Sequence, residues 1–440
     1  MIQCNWLKKH RKVLIYMTHT DYTKNILNIK DENIFFDENC LEICKINNID
    51  TKVFHGYLSY TPKYCDICGC INESSNDIIK WDWKRNCKIR IPKVAGYNTI
   101  LLLDKQRFYC KHCHHTFIAR TNIVGFHKQI SNDTELSIKL ELMNKIAEKD
   151  ISKHFNVSHN KVNRIMHELS RKTVLPGSLP TIMNFDEFKA TKDTEGKMAF
   201  IITNNETGKT FDILPSRKSN YLKKYFFRFP RKQRLKVKYI IIDLFGPYYD
   251  LFKQIFPNAT IISDRFHIVT QANNAFKCTR VMIMKKDKKN YNKLKHYRKS
   301  LQKCEDDLEK EKKHYSKHFG KYITEYEIVQ YLINTNDCLK QTYNLYQGII
   351  KAIRNKNIKL FVKIIESKHK NISEYMVKTL KTYNKFKNYI INSLKYKFNN
   401  GIIEGTNNLI KCIKRIAFGY KSFYHFKTRI LLITGIYKIA

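Results

Sequence analysis

The chain has 440 residues, with 81 Lys and Arg against 39 Asp and Glu, for a formal charge of +42. A surface that positive repels itself unless a polyanion neutralises it, so nucleic acid is the expected partner, even though part of the Lys excess follows a bias toward Lys, Asn, Ile, Tyr and Phe throughout. A hydrophobic content of 43% with 13% aromatics excludes global disorder. No run reaches the ~18 apolar residues of a membrane helix, and the stretch Ile430 to Ile436 reads as a buried helix instead.

The N-terminal stretch Met1 to Met17 is broken by Lys8, Lys9, His10, Arg11 and Lys12, so it has no continuous apolar core of secretory type. With the 13 cysteines scattered over so long a chain, the expectation is a soluble intracellular protein with reduced thiols. Residues 1–60 give no clear pattern. Residues 61–125 hold two CxxC pairs, Cys65/Cys68 and Cys110/Cys113. Each pair can present two thiolates to one tetrahedral zinc, with strands such as Lys88 to Ile91 and Thr99 to Leu103 filling the gap between them. Cys70, Cys87, His112, His114 and His115 are spare ligands. A redox CxxC or a chance pairing is the competing explanation; a catalytic zinc is disfavoured because four thiolates leave no open position.

Residues 131–175 read as helices. Within them Lys149 to Leu169 fits a helix-turn-helix, with Ile151, Phe155, Val162, Ile165 and Met166 inward and Asn156-Val157-Ser158 as the turn. That leaves His159, Asn160, Lys161, Asn163 and Arg164 for a DNA major groove, although an ordinary helical hairpin would show the same pattern. Leu175 to Pro180 forms a linker rich in Pro and Gly.

Beyond it the periodicity changes. Strands are predicted over 181–186, 198–203 and 210–214, then a helix over 219–229, a buried strand over 237–244, a helix over 247–256 and a strand over 259–264. Adjacent strands followed by strand–helix alternation indicate a mixed α/β sheet. Residues 268–398 read as helical, and a helical tail runs from Ile402. Asp186, Asp243 and Asp264 end apolar strands, where a carboxylate needs a metal, a cation or hydrogen-bond donors. Glu404 stands in a helical stretch. Carboxylates from separate elements can hold two Mg²⁺ or Mn²⁺ ions for phosphoryl transfer, whereas any one of them alone is equally a turn residue or a helix cap. Lys411, Lys414 and Arg415 share a helix face that suits either a phosphate backbone or plain solvent, in a tail that also carries Lys421, Lys427 and Arg429. Tyr420, Phe423, Tyr424 and Phe426 are expected in the core.

These pieces together resemble the ISL-three group of bacterial insertion-sequence transposases, over nearly the whole chain. The resemblance is carried by Phe185-Asp186-Glu187, Asp243 after its strand, and Pro257-Asn258-Ala259 leading to Asp264-Arg265-Phe266-His267. The most specific block runs from Asn400-Gly401 through Glu404-Gly405 and Asn407-Asn408 to Lys411, Lys414-Arg415 and Gly419-Tyr420. It implies a multidomain α/β protein: a zinc module over 61–125, a helix-turn-helix over 131–175, and an RNase H-like catalytic domain over 181–440 interrupted by a helical insertion at about 285–398. It assigns the catalytic, Mg²⁺-binding triad to Asp186, Asp243 and Glu404, with Asp264, Arg265 and His267 in support. The implied activity is cutting and joining of the element's ends on double-stranded DNA by a dimer or larger assembly, in a nucleoid-associated cytoplasmic setting without a membrane. Two other readings share these features: a DNA-binding regulator that has lost catalysis, and a nuclease that cuts without joining.

Overall fold

The computed structural model describes residues 18–73, 76–171, 177–398 and 400–435, in two compact units that divide between residues 173 and 174. The stretch Met1 to Met17 and the Leu175-Pro176 part of the predicted linker lie outside the described residues.

The first unit starts with α1 (His19–Leu27), held by a reciprocal cap: the Thr18 hydroxyl accepts the Asp21 N–H, and the Asp21 carboxylate accepts the Thr18 N–H. Strands β1 (Ile34–Phe35), β2 (Leu41–Ile46) and β3 (Ile49–Leu58) follow, so the patternless first 60 residues turn out to be structural. Strands β4 (Ile78–Val94) and β5 (Tyr97–Cys110) form a long antiparallel ribbon, and β5 also pairs in parallel with β3. The two strands predicted between the cysteine pairs are segments of this ribbon. With β6 (Thr116–Ile118) they complete a six-stranded sheet. Helices α2 (Asn132–Glu141), α3 (Glu148–His154) and α4 (His159–Arg171) come next. The turn between α3 and α4 includes Asn156 at φ +50°, a conformation Asn tolerates. Ile151, Val162, Ile165 and Met166 are buried as the pattern predicts, while Phe155 is half-buried.

The second unit begins with β7 (Ile182–Lys189), β8 (Met198–Asn204) and β9 (Thr210–Leu214), followed by α5 (Ser219–Phe226), a short α6 (Arg231–Arg234), β10 (Tyr239–Ile242), α7 (Gly246–Ile255) and β11 (Thr260–Ser263). The strand order is β11-β10-β7-β8-β9, with β10 parallel to both neighbours and the other pairs antiparallel. This is a mixed sheet, as the strand–helix order predicts. The long helix α8 (Arg265–Lys286) leads into α9 (Tyr291–His296), a hairpin of β12 (His314–Ser316) and β13 (Lys321–Ile323), and then α10 (Glu325–Ile333), α11 (Asp337–Arg354), α12 (Ile358–Glu366), α13 (Glu374–Lys385) and α14 (Lys387–Lys395). The hairpin departs from the all-helical expectation for this stretch; Gly320, at φ +63°, supplies its turn. Helices α15 (Gly401–Ile416) and α16 (Phe423–Ile433) return to the sheet.

Alternation along β7 and β8 builds two cores. Phe185, Phe200 and Ile202 pack on Phe226 of α5 and Phe252 of α7. Ala199 and Ile201 face the other way, against Ile403, Ile410 and Ile413 of α15 and Phe426 of α16. Position 186 therefore falls on the α15 side of the sheet, which is what places its carboxylate in the site.

Two of the tail's cations are internal. Lys427 pairs with the buried carboxylate of Asp212, which also accepts from the Tyr225 hydroxyl, and Arg429 is buried. Tyr424, by contrast, is exposed rather than in the core, because its side of α16 turns away from the sheet. Substituting Lys427→Met leaves the Asp212 charge without its cation, and the expected cost is about 3–5 kcal/mol, read as a lowered denaturant midpoint. An unchanged midpoint would show that the Tyr225 hydroxyl and the Ile213 N–H satisfy Asp212 without the cation.

Candidate functional site

Register places the acids. Ile241 of β10 lies beside Asn184 of β7, and Ile242 lies beside Ser263 of β11. Continuing each pairing brings Asp186, Asp243 and Asp264 level across three adjacent strands. The parallel strands carry Asp243 and Asp264 at their C-terminal ends, where the chain leaves the sheet and a polar side chain can reach a cleft.

Asp264 caps α8, accepting from the Phe266 N–H at 3.4 Å, and accepts from His267 Nδ1 at 2.9 Å. The same Nδ1 lies 3.1 Å from Asp243 Oδ1. With its proton directed to Asp264, it leaves Asp243 Oδ1 buried without a hydrogen-bond donor among the described residues. Donor atoms of Asp243, Asp264 and His267 all lie within 4.8 Å of one another. Asp186 sits beside this group, accepting from the Glu187 N–H at 2.7 Å and from Asn407 Nδ2 at 2.6 Å. Burial pushes the Asp243 carboxyl up to about 7; the charge of Asp186 adds to the rise and His267 opposes it. Burial raises Asp186 as well. The hydrogen bond to Asp264 raises His267, favouring an imidazolium among the carboxylates. Clustered, largely buried acids with one histidine among them and an orphan carboxylate oxygen fit a divalent metal.

Helix α15 forms the opposite wall. Asn400, Glu404, Asn407, Lys411, Lys414 and Arg415 recur at helical spacing and line a cleft of about 1630 Å³ that also takes in Asp186, Asp264 and His267. Glu404 is exposed there, on the first turn of the helix, and lies outside the group of donor atoms that are mutually within 4.8 Å. The helix is anchored to the sheet through asparagines: Asn184 donates to Asn400 Oδ1 at 2.7 Å and Asn205 donates to Asn184 Oδ1 at 2.7 Å. Lys414 is partly spent on structure, donating to the carbonyls of Lys189 and Ala190 at 3.1 and 2.8 Å, while Lys411 and Arg415 are exposed. Arg265 reaches the Phe398 carbonyl at 3.5 Å. Asn407, the direct partner of Asp186, was not singled out from the sequence as a site residue. Its spacing of three from Glu404 is the feature that marks it.

A family model described as a transposase, of the ISL-three group, matches residues 183–430. The chain belongs to the ISL-three family of transposases. The match begins in β7 and ends in α16, so it spans both walls of the transposase cleft. A Lactococcus lactis subsp. lactis protein bearing the name ATP-dependent protease is 33% identical over 127 residues, which is 29% of this chain and 40% of that relative. The chain thus matches less than half the length of that relative.

In the first unit of the transposase, Cys65, Cys68, Cys110 and Cys113 have sulfurs within 4.8 Å of one another. Cys65–Cys113 and Cys68–Cys110 are 3.8 Å apart. A tetrahedron with Zn–S bonds of about 2.3 Å has edges of about 3.8 Å, so the four sulfurs fit one zinc. Both pairs sit on matching knuckles: the Gly69 N–H donates to the Cys65 carbonyl and the His114 N–H to the Cys110 carbonyl, with positive φ at both turns. The Ile67 N–H donates to Cys65 Sγ at 3.4 Å. The spare candidates lie elsewhere: Cys70 and Cys87 donate to carbonyls, His114 meets Tyr109 and His115 meets the Cys113 carbonyl; His112 is outside the cluster too.

On α4, His159, Asn160 and Arg164 are exposed. Lys161 is engaged by the buried carboxylate of Glu135 at 3.2 Å, and Asn163 bonds His159 at 3.3 Å. Among the described residues, no helix is long and apolar enough to cross a membrane.

Proposed function

We propose that this transposase is a metal-dependent enzyme that cuts double-stranded DNA at the ends of its own insertion sequence and joins those ends to target DNA. The observation that carries the reading is the levelling of Asp186, Asp243 and Asp264 across three strands beneath a helix bearing Glu404. The strand order, three antiparallel strands with two parallel ones added beside the first, supports an RNase H-like fold. Asp186, Asp243 and Glu404 are the proposed ligands, with Glu404 reaching in from α15 and Asp264 orienting His267. Two Mg²⁺ or Mn²⁺ ions supply, when bound, activation of the attacking water or 3′-hydroxyl and stabilisation of the leaving oxygen. Asn407 holds Asp186 in place, and Arg265, His267, Lys411, Lys414 and Arg415 present cations to the DNA backbone. Helices α3 and α4 serve as the helix-turn-helix, reading the terminal repeats through His159, Asn160 and Arg164, with Lys161 and Asn163 beside them. The four cysteines hold a structural zinc. Holding two ends at once calls for a dimer or larger assembly.

The protease name of the Lactococcus relative finds no support in this cleft. The hydroxyl of Thr191, which lines it, donates to Asp193 rather than to His267.

Purified protein, Mg²⁺ and a labelled duplex carrying the element's end test the reading. Cutting at the boundary to leave a 3′-hydroxyl, followed by joining, is the expected result. Binding without cutting in either Mg²⁺ or Mn²⁺, with both ends supplied, makes the chain a DNA-binding regulator.

The raised Asp243 carboxyl gives the site a pH dependence. Its pKa in the unfolded chain is about 3.9. Because the folded value is higher, the group favours folding at low pH, and that contribution is lost as pH rises from about 4 to about 7. A metal competes for the same oxygen, so apparent Mg²⁺ affinity is expected to fall up to about tenfold per pH unit below about 7. Calorimetric titration between about pH 5 and 8 checks this. A flat profile removes Asp243 from the ligand set.

A further inference from the structure

We propose that Phe418 is a stacking platform for a nucleobase taken out of the duplex at the cutting point, an inference that rests on the assignment of the cleft to DNA cutting. Phe418 is 97% exposed, and it lines the cleft beside Lys411, Arg415 and Lys421. It also sits at φ +53°, a conformation that Gly and Asn adopt readily and a bulky residue does not. Two hydrogen bonds hold the backbone there: the Phe418 N–H donates to the Arg415 carbonyl at 3.0 Å and the Gly419 N–H to the Lys414 carbonyl at 2.9 Å, closing the end of α15. Gly419, at φ +98°, completes the turn. A strained backbone thus holds an apolar ring in water. Two residues on, Tyr420 behaves as aromatics ordinarily do, its ring stacked on Phe426 at 4.9 Å.

Strain and exposure together point to a ligand that covers the ring. The ligand's chemistry follows from the surroundings. The cations Lys411, Arg415 and Lys421 of the same cleft attract a phosphate backbone, and an exposed phenyl face in their company matches a base face, as in single-strand binding grooves. A base inside a duplex is covered by its neighbours, so only an unstacked one can present that face. A second ring, Phe266, is 62% exposed in the first turn of α8 and lines the same cleft, next to His267. An unstacked base at this place would draw the adjoining phosphate away from regular duplex geometry and toward the acids.

The test uses the full chain and duplexes of the element's end with 2-aminopurine placed in turn at positions across the boundary. With Ca²⁺ in place of Mg²⁺, wild-type protein is expected to change the fluorescence at one position, where the probe leaves the stack. Phe418→Trp keeps the response. Phe418→Asn suits the left-handed backbone and removes the ring, so it should fold and bind yet lose the response. In Mg²⁺ the Asn variant is expected to cut paired duplex about ten- to a hundredfold more slowly, the factor for losing one base–aromatic stack. It should regain most of its rate on a duplex mismatched at that position. The proposal is overturned if wild-type protein binds with no position responding, if the Asn variant keeps both response and rate, or if the mismatch restores nothing. A response without cutting by wild-type protein sinks the enzyme assignment and leaves the stacking role standing.

Discussion

Replacing Asp243 with Asn is expected to abolish cutting and joining while leaving binding to the element's end unchanged. The side chain keeps its shape but loses the charge that faces a metal. Loss of an outer partner of a metal ligand costs about 10- to 100-fold, so loss of a ligand's charge should exceed about a hundredfold. The same change should not weaken the fold. In the metal-free chain Asp243 is a partly buried carboxylate repelled by Asp186, and one of its oxygens has no donor among the described residues. Neutralising it removes a cost that is present above about pH 7. The variant should therefore melt at the same temperature as the wild type or higher at neutral pH, the pattern of a residue kept for chemistry at the expense of stability. Cutting assays with a labelled duplex and thermal melts in a chelator read both effects. A variant that still cuts at the wild-type rate moves the chemistry to other residues; one that neither cuts nor melts cooperatively points to a structural role.

Removing zinc, or substituting Cys110→Ser, is expected to unfold the first unit while the second keeps its own transition. The cluster is continuous with the core: Cys65 and Cys110 are buried and pack in one group with Phe108 and Phe117. Without a cation, four adjacent thiols cannot all ionise; burial holds the Cys113 thiol up at about 12. Structural zinc in small domains contributes an apparent ~10–16 kcal/mol, far above the reserve of a domain this size. The expected readouts are one zinc per chain, loss of the earlier of two melting transitions on chelation, and loss of binding to the element's end. A Cys110→Ser protein that retains both transitions and full binding excludes a structural metal at these cysteines.

Much of the second unit was legible because its strands are short apolar runs bounded by turns, and the order of elements constrains a mixed sheet. The acids at the ends of those runs stood out for the same reason. What the sequence could not display was register. Asp264 reads as a helix cap, and it is one, yet pairing of β10 with β11 also brings it level with Asp243. The roles of the tail cations were illegible as well, since Lys427 and Lys411 look alike until the partner strand is known: Asp212 lies far upstream and buries one of them. The first 60 residues were opaque because β1 is only two residues long, β2 is largely exposed on both faces and β3 takes its parallel partner β5 from beyond them, so none of the three shows a clean alternation. The β12–β13 hairpin was missed because three-residue strands fall below what alternation can reveal.

The position of α15 has a consequence for biosynthesis. One wall of the cleft is assembled from β7, β10 and β11, and the other arrives only at residues 400–415, after the whole helical insertion. Domains emerge from the ribosome N-terminal first and fold as units. The four cysteines and the α3–α4 pair are therefore complete long before Glu404 and Asn407 have been made. During synthesis the chain passes through a stage with its proposed recognition elements finished and its cleft one-sided. A message broken within the insertion would yield the same product: a polypeptide equipped to occupy the element's ends but unable to close the site over them, and so a competitor of the full-length protein.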